Sequence, residues 1–394
     1  MSTVAPARTS RLTAVLREGE RVTPLELFFD LVFVLAITQC TTLMARTPTW
    51  AGLGKGLLVL GLLWWAWTGY AWLTSVVDPE EGSVRLAMFG AMAGLLVVAL
   101  CVPQAFGSEA LLFACAYTVV RAAHLLLFGL ASRDDPDLRY STITLARSTA
   151  VGAALLIGGA FAGVEARGAM WGLALALDMI GPFFFGAEGW RLAPGHFAER
   201  HGLIVLIALG ESIVAIGVGS QAGVDAGVVA AAVVGVAVAG ALWWLYFDVV
   251  ALVAARRLAK ASEGRERNEI ARDSFSYLHF PMVAGIVLLA LGLKKTLGHV
   301  EDPLATVPAV ALLGGTAIYL LAHVAFRMRN VHRFSTERLL CALLLLALLP
   351  AGFELPSLAT LGLVAAALAV LIVYESRRFA ELRARLRHQL VAEP

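Results

Sequence analysis

The sequence predicts an all-α polytopic membrane protein with about twelve transmembrane helices, arranged as two parallel six-helix repeats. Of the 394 residues, 59% are hydrophobic and only 15% are charged, and the mean hydropathy is +0.78. The apolar residues lie in continuous runs of about 20, the length of a spanning helix, without the alternation of β-barrel strands. Basic residues also segregate to alternate loops, as they do in multi-pass membrane proteins.

The composition restricts the function as well. Soluble domains carry about a quarter charged residues, so 15% excludes a water-soluble enzyme and a disordered regulator. A formal net charge of +2 provides no strong basic field, and we expect no nucleic-acid partner. The four cysteines lie within apolar runs and form no CxxC pair. We therefore expect neither a disulfide framework nor a metal site, and no cofactor.

Twelve spans follow one another along the chain. The first apolar run, from Leu25, exceeds the apolar core of a signal peptide and is predicted to remain as a helix. The weakest predictions are the fifth span, which contains Arg147, and the hairpin around Pro356. The predicted spans are 25–45, 53–76, 84–104, 109–131, 139–161, 168–187, 201–219, 225–255, 277–295, 304–326, 338–354 and 358–375.

Charge counting predicts the orientation. With a cytoplasmic N-terminus, 24 lysine and arginine residues fall in cytoplasmic segments and 5 on the opposite side, while Arg121 and Arg147 lie within spans. This asymmetry places both termini in the cytoplasm, and we expect the bacterial cytoplasmic (inner) membrane. The basic loops and tail are expected to contact anionic lipids of the inner leaflet, although topology signalling alone is the simpler interpretation.

Two features recur about 180 residues apart. Asp30 and Glu211 each place one carboxylate within an apolar helix, and the Trp pairs that begin at Trp64 and Trp243 follow them by 34 and 32 residues. Six spans per half is an even number, so the halves would be parallel repeats; chance recurrence is the alternative. The predicted parts are a cytoplasmic N-terminal segment (1–24), a first repeat (25–195), a second repeat (196–375) and a basic cytoplasmic tail (376–394).

Ionisable residues within the spans are the candidate functional residues, because each costs about 2.5–3.5 kcal/mol unless it meets water or a partner. Glu26 and Asp30 lie four residues apart on one helix face, and they repel each other unless a proton or a cation intervenes. The candidates for binding an ion, a proton or a substrate are Glu26, Asp30, Arg121, His124, Arg147, Asp178, Glu211, Ser212, His279 and His323.

The two arginines within spans, Arg121 and Arg147, are expected to pair with buried acids. The available carboxylates are Asp30, Asp178 and Glu211. A purely structural ion pair is an equal alternative to a functional one.

Histidine and proline mark further positions. His279 and His323 are more typical of packed core histidines than of ligands. Pro182 follows Asp178 by four residues, and Pro281 follows His279 by two. Proline frees backbone carbonyl groups, which kink a helix or line a cavity.

Several motifs resemble those of a known family. The run TPLELFFDLVF at 23–33 and the run HFAERHG at 196–202, which leads into LGES at 209–212, resemble the bacterial low temperature requirement protein A (LtrA) family. The run YLHFP at 277–281 is similar to another block of that family. The resemblance covers essentially the whole chain and implies a membrane protein linked to growth in the cold, without a settled molecular activity.

The first of these runs has a weaker resemblance as well. It is similar to the Phe-Ser-Asp signature on the first helix of each six-span repeat in a family of lysosomal and bacterial potassium channels. Phe29 stands here in place of the serine, and Pro24 in place of an expected arginine; the second half, at Glu211, departs further. This resemblance implies kinship of fold but not potassium selectivity.

The leading functional hypothesis is an ion channel or an ion- or proton-coupled transporter in which Asp30 and Glu211 bind a cation or a proton. One alternative is a membrane-embedded enzyme acting on a lipid or a small hydrophobic substrate, which the lack of a readable nucleophile–base or metal-ligand pattern disfavours. Another is a non-transporting cold-stress scaffold that acts through the basic tail. The sequence leaves open the transported ion or solute, and whether one chain or a homodimer is the functional unit.

Overall fold

The computed structural model describes residues 21–80, 82–184, 189–220 and 223–381, and these residues form helices without a β-strand among them. The helices are α1 (Pro24–Arg46), α2 (Trp50–Val76), α3 (Gly82–Cys101) with a 3-10 turn (Val102–Gln104), α4 (Ala110–Ala131), α5 (Pro136–Ala160), α6 (Val164–Phe184), α7 (Pro194–Gly219), α8 (Ala226–Phe247), α9 (Val250–Lys260), α10 (Arg265–Ile270), a π-helix (Ala271–Tyr277), α11 (His279–Gly298), α12 (Thr306–Val331), α13 (Thr336–Ala347), α14 (Leu349–Glu354) and α15 (Ser357–Arg378).

Eleven helical segments in the described ranges are long and apolar enough to cross a membrane, one fewer than the sequence predicts. Three of them join neighbouring helices: α8 with α9, α10 with the π-helix and α11, and α13 with α14. The difference is the sixth predicted span, 168–187, of which residues 185–187 lie outside the described residues. The described helix, α6, has 21 residues and includes Glu165, Arg167 and Asp178. α6 nevertheless packs within the bundle, against α5 and α2.

The start of α7 differs from its prediction in a way that matters for the site. The apolar run begins at 201, but the helix begins at Pro194, whose fixed φ and missing N–H suit a first helical position. Arg200 therefore lies inside the helix and is fully buried, and it is not a surface charge of a loop. Arg338, which the charge count also assigns to a loop, is buried in α13.

The helices α1 and α7 run in the same direction. Arg200 of α7 contacts Asp30 of α1, and further along both helices Thr38 donates a hydrogen bond to Glu211. Because both residue numbers rise together, the two helices are parallel. This is the relation expected for the first helices of two halves that enter from the same side.

The duplication itself remains a prediction, because the matched tryptophans differ in their surroundings. Trp64 and Trp65 are buried, whereas Trp243 and Trp244 are 43% and 38% exposed. The division into four parts is likewise untested. The predicted N-terminal segment before residue 21 and the tail beyond 381 lie outside the described residues.

A π-helix links α10 to α11 and is bound to α2. Trp64 Nε1 donates to the carbonyl oxygen of Ser276 at 2.8 Å, and Trp72 Nε1 donates to Ser276 Oγ at 2.9 Å. A π-helix is uncommon and often lies at functional sites, because its wider turn redirects side chains and carbonyl groups.

α11 and α12 cross at close range. A Cβ atom added to Gly285 would lie 2.6 Å from the carbonyl oxygen of Gly315, and one added to Gly315 would lie 2.8 Å from that of Gly285. Small residues permit this backbone approach, which is a common basis of packing between membrane helices.

Candidate functional site

A buried network of four ionisable side chains joins α1 to α7 near the N-terminal ends of both helices. Arg200 Nη2 lies 2.8 Å from Asp30 Oδ1, and Arg200 Nη1 lies 3.2 Å from Glu26 Oε1. His196 Nε2 lies 2.7 Å from the same oxygen of Glu26. Each of the four side chains is at most 1% exposed. We call these residues, Glu26, Asp30, His196 and Arg200, the carboxylate network.

Residues of α2 contact three members of the carboxylate network. Trp67 Nε1 donates to Asp30 Oδ1 at 3.0 Å, and the Trp67 ring lies 5.6 Å from the guanidinium carbon of Arg200, close enough for a cation–π contact. Ser75 Oγ lies 2.9 Å from His196 Nδ1. The second oxygen of Asp30, Oδ2, has no hydrogen-bond partner within the described residues. One carboxylate oxygen of the network is therefore free to take a proton or a cation.

Glu26 also begins its helix. Its carboxylate accepts hydrogen bonds from the backbone N–H and the hydroxyl of Thr23, at 2.9 and 3.1 Å, which forms a capping box. Pro24 occupies the first turn. The Glu26 side chain is completely buried.

The partner of Asp30 is Arg200, which was not among the candidate residues. Arg121 and Arg147 were expected to pair with Asp30, Asp178 or Glu211, and neither contacts Asp30 in the described residues. Arg200 was missed because it precedes the apolar run of α7. Its spacing of four from His196, together with the N-terminal helix signal of Pro194, puts both basic side chains on one helix face, and that pattern could have indicated it.

Glu211 and Ser212 lie at a different depth of the same helix pair. Thr38, which donates to Glu211, is eight residues beyond Asp30, or about 12 Å along α1. Ser212 is buried, and its hydroxyl oxygen has no partner within the described ranges. The two matched carboxylates therefore share one helix interface but form separate contacts.

A series of buried aromatic rings leads from the carboxylate network toward the second half. The His201 ring lies 5.0 Å from the Trp67 ring and 5.2 Å from the His279 ring. Tyr246 Oη lies 2.8 Å from His279 Nε2, and the ring of Tyr246 lies 6.0 Å from that of His323. His279 and His323 are buried core residues, in line with their prediction.

A first cavity lies among α2, α4, α5, α6 and the π-helix, with an empty volume of about 810 Å³. At its inner end, Arg121 Nη2 donates to Thr149 Oγ at 2.9 Å and lies 3.4 Å from Asp178 Oδ2. The expected pairing of Arg121 with a buried acid is thereby confirmed for Asp178. The side chains of the first cavity that matter below are Trp65, Trp72, Arg121, His124, Trp190 and Arg272.

The imidazole of His124 lies beside Arg121 in the first cavity. Neither ring nitrogen has a hydrogen-bond partner within the described residues, although the side chain is only 1% exposed. Gly69 makes room for both side chains: a Cβ at this position would lie 2.9 Å from Arg121 Nη1 and 3.0 Å from His124 Nε2. The absence of a side chain on α2 thus creates the space at the inner end.

A second cavity lies among α8, α9, α12, α13 and α15, with an empty volume of about 1540 Å³. Here Arg338 binds Glu375 through two parallel hydrogen bonds of 2.7 and 2.9 Å, and it also reaches the carbonyl oxygen of Leu245 at 3.3 Å. His323 and Asp248 are further lining residues. Neither cavity includes Asp30 or Glu211 in its lining.

Arg147 does not face the interior. It lies on an exposed stripe of α5 with Tyr140, Ile143 and Val151, and no partner is found for it within the described part of the chain. The helical period explains the result, because residues spaced by three and four share a face.

Within the described ranges, no group of three or more His, Cys, Asp and Glu side chains is placed to hold a metal ion. The expectation of no metal and no cofactor stays a prediction.

Comparisons with known proteins bear on the family. The family model described as bacterial low temperature requirement A protein (LtrA) matches residues 21–373. An uncharacterized protein of Rhizobium meliloti (strain 1021) is 32% identical over 310 residues, covering 75% of this chain and 74% of that protein. No solved structure matches the chain, so the kinship with potassium channels stays a prediction. The family match includes every residue of the carboxylate network.

Proposed function

The chain belongs to the bacterial low temperature requirement A (LtrA) family, as its motifs indicate, and we propose that this integral membrane protein is a proton-coupled transporter of the cytoplasmic membrane. The carboxylate network between α1 and α7 is the element whose proton content changes during transport. The distribution of basic residues supports a cytoplasmic position for both termini.

The observation that carries the proposal is the charge of the carboxylate network. Within the described residues, the carboxylates of Glu26 and Asp30 lie against Arg200 and His196 in the protein interior. Gain or loss of one proton, on a carboxylate or on His196, changes the net charge that Arg200 balances. Burial of an uncompensated charge costs several kcal/mol. Proton binding is therefore linked to the stability of this arrangement.

The position of the network supports a link between that proton and helix movement. Every member comes from α1 or α7, so loss or gain of a proton acts directly on the contact between these two helices. The contact of Thr38 with Glu211 lies further along the same interface. A shift of α1 against α7 would change both contacts together.

The cavities support a transporter that opens to one side at a time. Both are lined mainly by the C-terminal ends of even-numbered helices such as α2, α4, α8 and α12, which lie at the same end of the bundle as the carboxylate network. A transporter with two repeats alternates between states open to opposite sides. The basic loops place this end in the cytoplasm.

The same contacts favour a coupled transporter over an ion channel. A cation at the second oxygen of Asp30 would lie next to the guanidinium of Arg200, which is 2.8 Å from the first oxygen and repels another positive charge. Conduction requires sites that release ions quickly, whereas a buried ion pair is released only when its charge changes.

Reconstitution into proteoliposomes tests the proposal. The vesicles contain the pH dye pyranine, and a panel of ions, organic acids and amines is added outside with and without a membrane potential. We expect at least one panel member to cause protein-dependent proton movement, and Asp30→Asn to reduce its rate at least about tenfold, a barrier increase of about 1.4 kcal/mol. Glu211→Gln should also reduce it.

The matched control is Arg147→Gln, which removes an exposed charge from α5 and should leave the rate unchanged. An Asp30→Asn protein that is folded and moves protons at the wild-type rate would contradict the proposal. Release of a chemically altered panel member would instead identify the membrane-embedded enzyme. Loss of the cold-growth phenotype after removal of the residues beyond Tyr374, with proton movement intact, would identify the scaffold.

A further inference from the structure

We propose that the first cavity is a binding site for a small organic anion that combines one carboxylate or phosphate group with a flat apolar body. This inference does not depend on transport, because binding to the cavity is measurable in detergent. Its failure is therefore distinguishable from failure of the proton-coupled function.

The charged group of the ligand is specified by the inner end of the cavity. Arg121 and His124 are at most 2% exposed, yet Arg121 Nε and both ring nitrogens of His124 have no hydrogen-bond partner within the described residues. Buried polar groups without partners are rare in proteins, because each such group costs free energy. A ligand with acceptor oxygens would accept hydrogen bonds from Arg121 Nε and from the ring nitrogen of His124 that carries a proton.

The arrangement of charges favours an anion. The carboxylate of Asp178 contacts the side of Arg121 that carries Thr149, where these three residues border a separate small cavity. Among the described residues, the lining of the first cavity contains two arginines and a histidine but no carboxylate. Arginine positioned by an acid behind it is a common way to bind carboxylate and phosphate groups.

The second arginine stands on the π-helix. Arg272 Nε binds Asp273 Oδ1 at 2.8 Å, and its Nη1 donates to the carbonyl oxygen of Pro182 at 3.3 Å. Arg329 also binds Asp273, at 2.9 Å, so that this carboxylate is shared by two arginines. The charge around Arg272 is therefore net positive, which adds to the attraction for an anion.

The apolar body of the ligand is specified by three tryptophans. Trp65, Trp72 and Trp190 line the cavity between the two arginines, and the Trp72 and Trp190 rings lie 6.0 Å apart. Indole rings pack well against flat apolar groups. An inorganic anion would make no use of the apolar surface that these rings offer to the cavity, and for this reason we favour an organic anion over a simple salt ion.

Benzoate is the probe for this site, with phenyl phosphate as a second anion. Benzamide and benzamidinium have nearly the same shape but are neutral and cationic. Binding to the detergent-purified full-length chain is followed by tryptophan fluorescence and by calorimetry. We expect saturable binding of both anions, and affinities at least about tenfold lower for benzamide and benzamidinium, because each lacks the charge-assisted hydrogen bonds.

Two variants test the residues. The double variant Arg121→Gln with Asp178→Asn removes both charges of the pair, so that neither remains buried alone, and it should weaken benzoate binding at least about tenfold. His124→Phe keeps the ring shape and loses only nitrogens that have no partner. It should fold normally and weaken binding about fivefold.

The second cavity supplies the matched controls. Arg338→Gln with Glu375→Gln removes an equivalent pair, and His323→Phe removes an equivalent ring; both should bind benzoate as the wild type does. Competition by phosphatidylglycerol, but not by phosphatidylcholine, would identify a lipid headgroup as the source of the anion, and lack of competition would identify a soluble acid. Equal binding of benzoate and benzamide, or unchanged benzoate affinity in the folded Arg121 double variant and in His124→Phe, would overturn the proposal.

Discussion

The two cavities differ in how each neutralises a buried arginine. In the second cavity, Arg338 is bound by both oxygens of Glu375 and by a backbone carbonyl group. In the first cavity, Arg121 has one hydroxyl partner at 2.9 Å and one carboxylate at 3.4 Å. The ion pair in the second cavity is complete, whereas Arg121 in the first cavity keeps hydrogen-bonding capacity for another group.

This difference separates two uses of a charge inside a membrane protein. A bidentate pair with short hydrogen bonds stabilises the contact between α13 and α15 and offers little to a ligand. The first cavity has an arginine with an unpartnered Nε beside a histidine with two unpartnered nitrogens. These groups lower the stability of the ligand-free protein and are better suited to bind a ligand. The residue type is the same in both cavities, and the completeness of its hydrogen bonding indicates the role.

The largest effect is expected from breaking the complete pair. Arg338→Gln leaves Glu375 buried without a charged partner and should lower the free energy of unfolding by about 3–5 kcal/mol. Urea or SDS unfolding in detergent micelles measures this change. The double variant with Glu375→Gln should recover most of the loss, and a single variant as stable as the wild type would remove the distinction between the cavities.

A smaller effect is expected at the incomplete pair. Asp178→Asn should cost about 1.5–3 kcal/mol, the range for a hydrogen bond to a charged group. Arg121 keeps its bond to Thr149 and faces a cavity that water can enter. The same unfolding measurement should rank Asp178→Asn below Glu375→Gln; the reverse order would show that the first cavity depends more on its ion pair.

The next smaller loss of stability is expected from a substitution that fills the space at the inner end of the first cavity. Gly69→Ala adds a Cβ within 3.0 Å of the tips of Arg121 and His124. We expect a loss of about 1–2 kcal/mol, in the lower part of the range for overpacking, because side-chain tips can move. Thermal unfolding of the two proteins in one detergent measures it. A loss above that range would mean that these side chains are fixed in place.

The smallest effect is expected from Arg147→Gln. Arg147 lies on the outer side of α5 and has no partner within the described residues. Because this side chain contacts detergent in both the folded and the unfolded state, the free energy of unfolding should change by no more than about 0.5 kcal/mol. Parallel unfolding curves of variant and wild type are the test. A clear destabilisation would restore the predicted internal role of Arg147.

Much of the helical architecture could be predicted from residues close together in the chain. All twelve predicted spans correspond to helices, since apolar length is a local property. Eleven of the helical segments in the described ranges are long and apolar enough to cross a membrane, and the sixth predicted span extends beyond those ranges. The face shared by Glu26 and Asp30 followed from helical periodicity alone.

Which residues meet in the site depends on contacts between distant parts of the chain, and no local sequence pattern predicts these contacts. Arg200 and Asp30 are 170 residues apart, and so are His196 and Glu26. The charge count assigned Arg200 to a loop because its helix begins before the apolar run. Arg147 looked equivalent to Arg121 by sequence. In the structure, however, Arg147 faces outward from α5, whereas Arg121 of α4 is buried.

The sequence by itself determined that this chain is a helical membrane protein of the LtrA family, with carboxylates in α1 and α7. Hydrophobic length and motif identity are properties of single segments, so they can be obtained without coordinates. Only the tertiary structure decided which charges meet. Partner choice depends on the relative depth and rotation of packed helices, and these are set by close contacts such as Gly285 with Gly315 and Gly69 with Arg121.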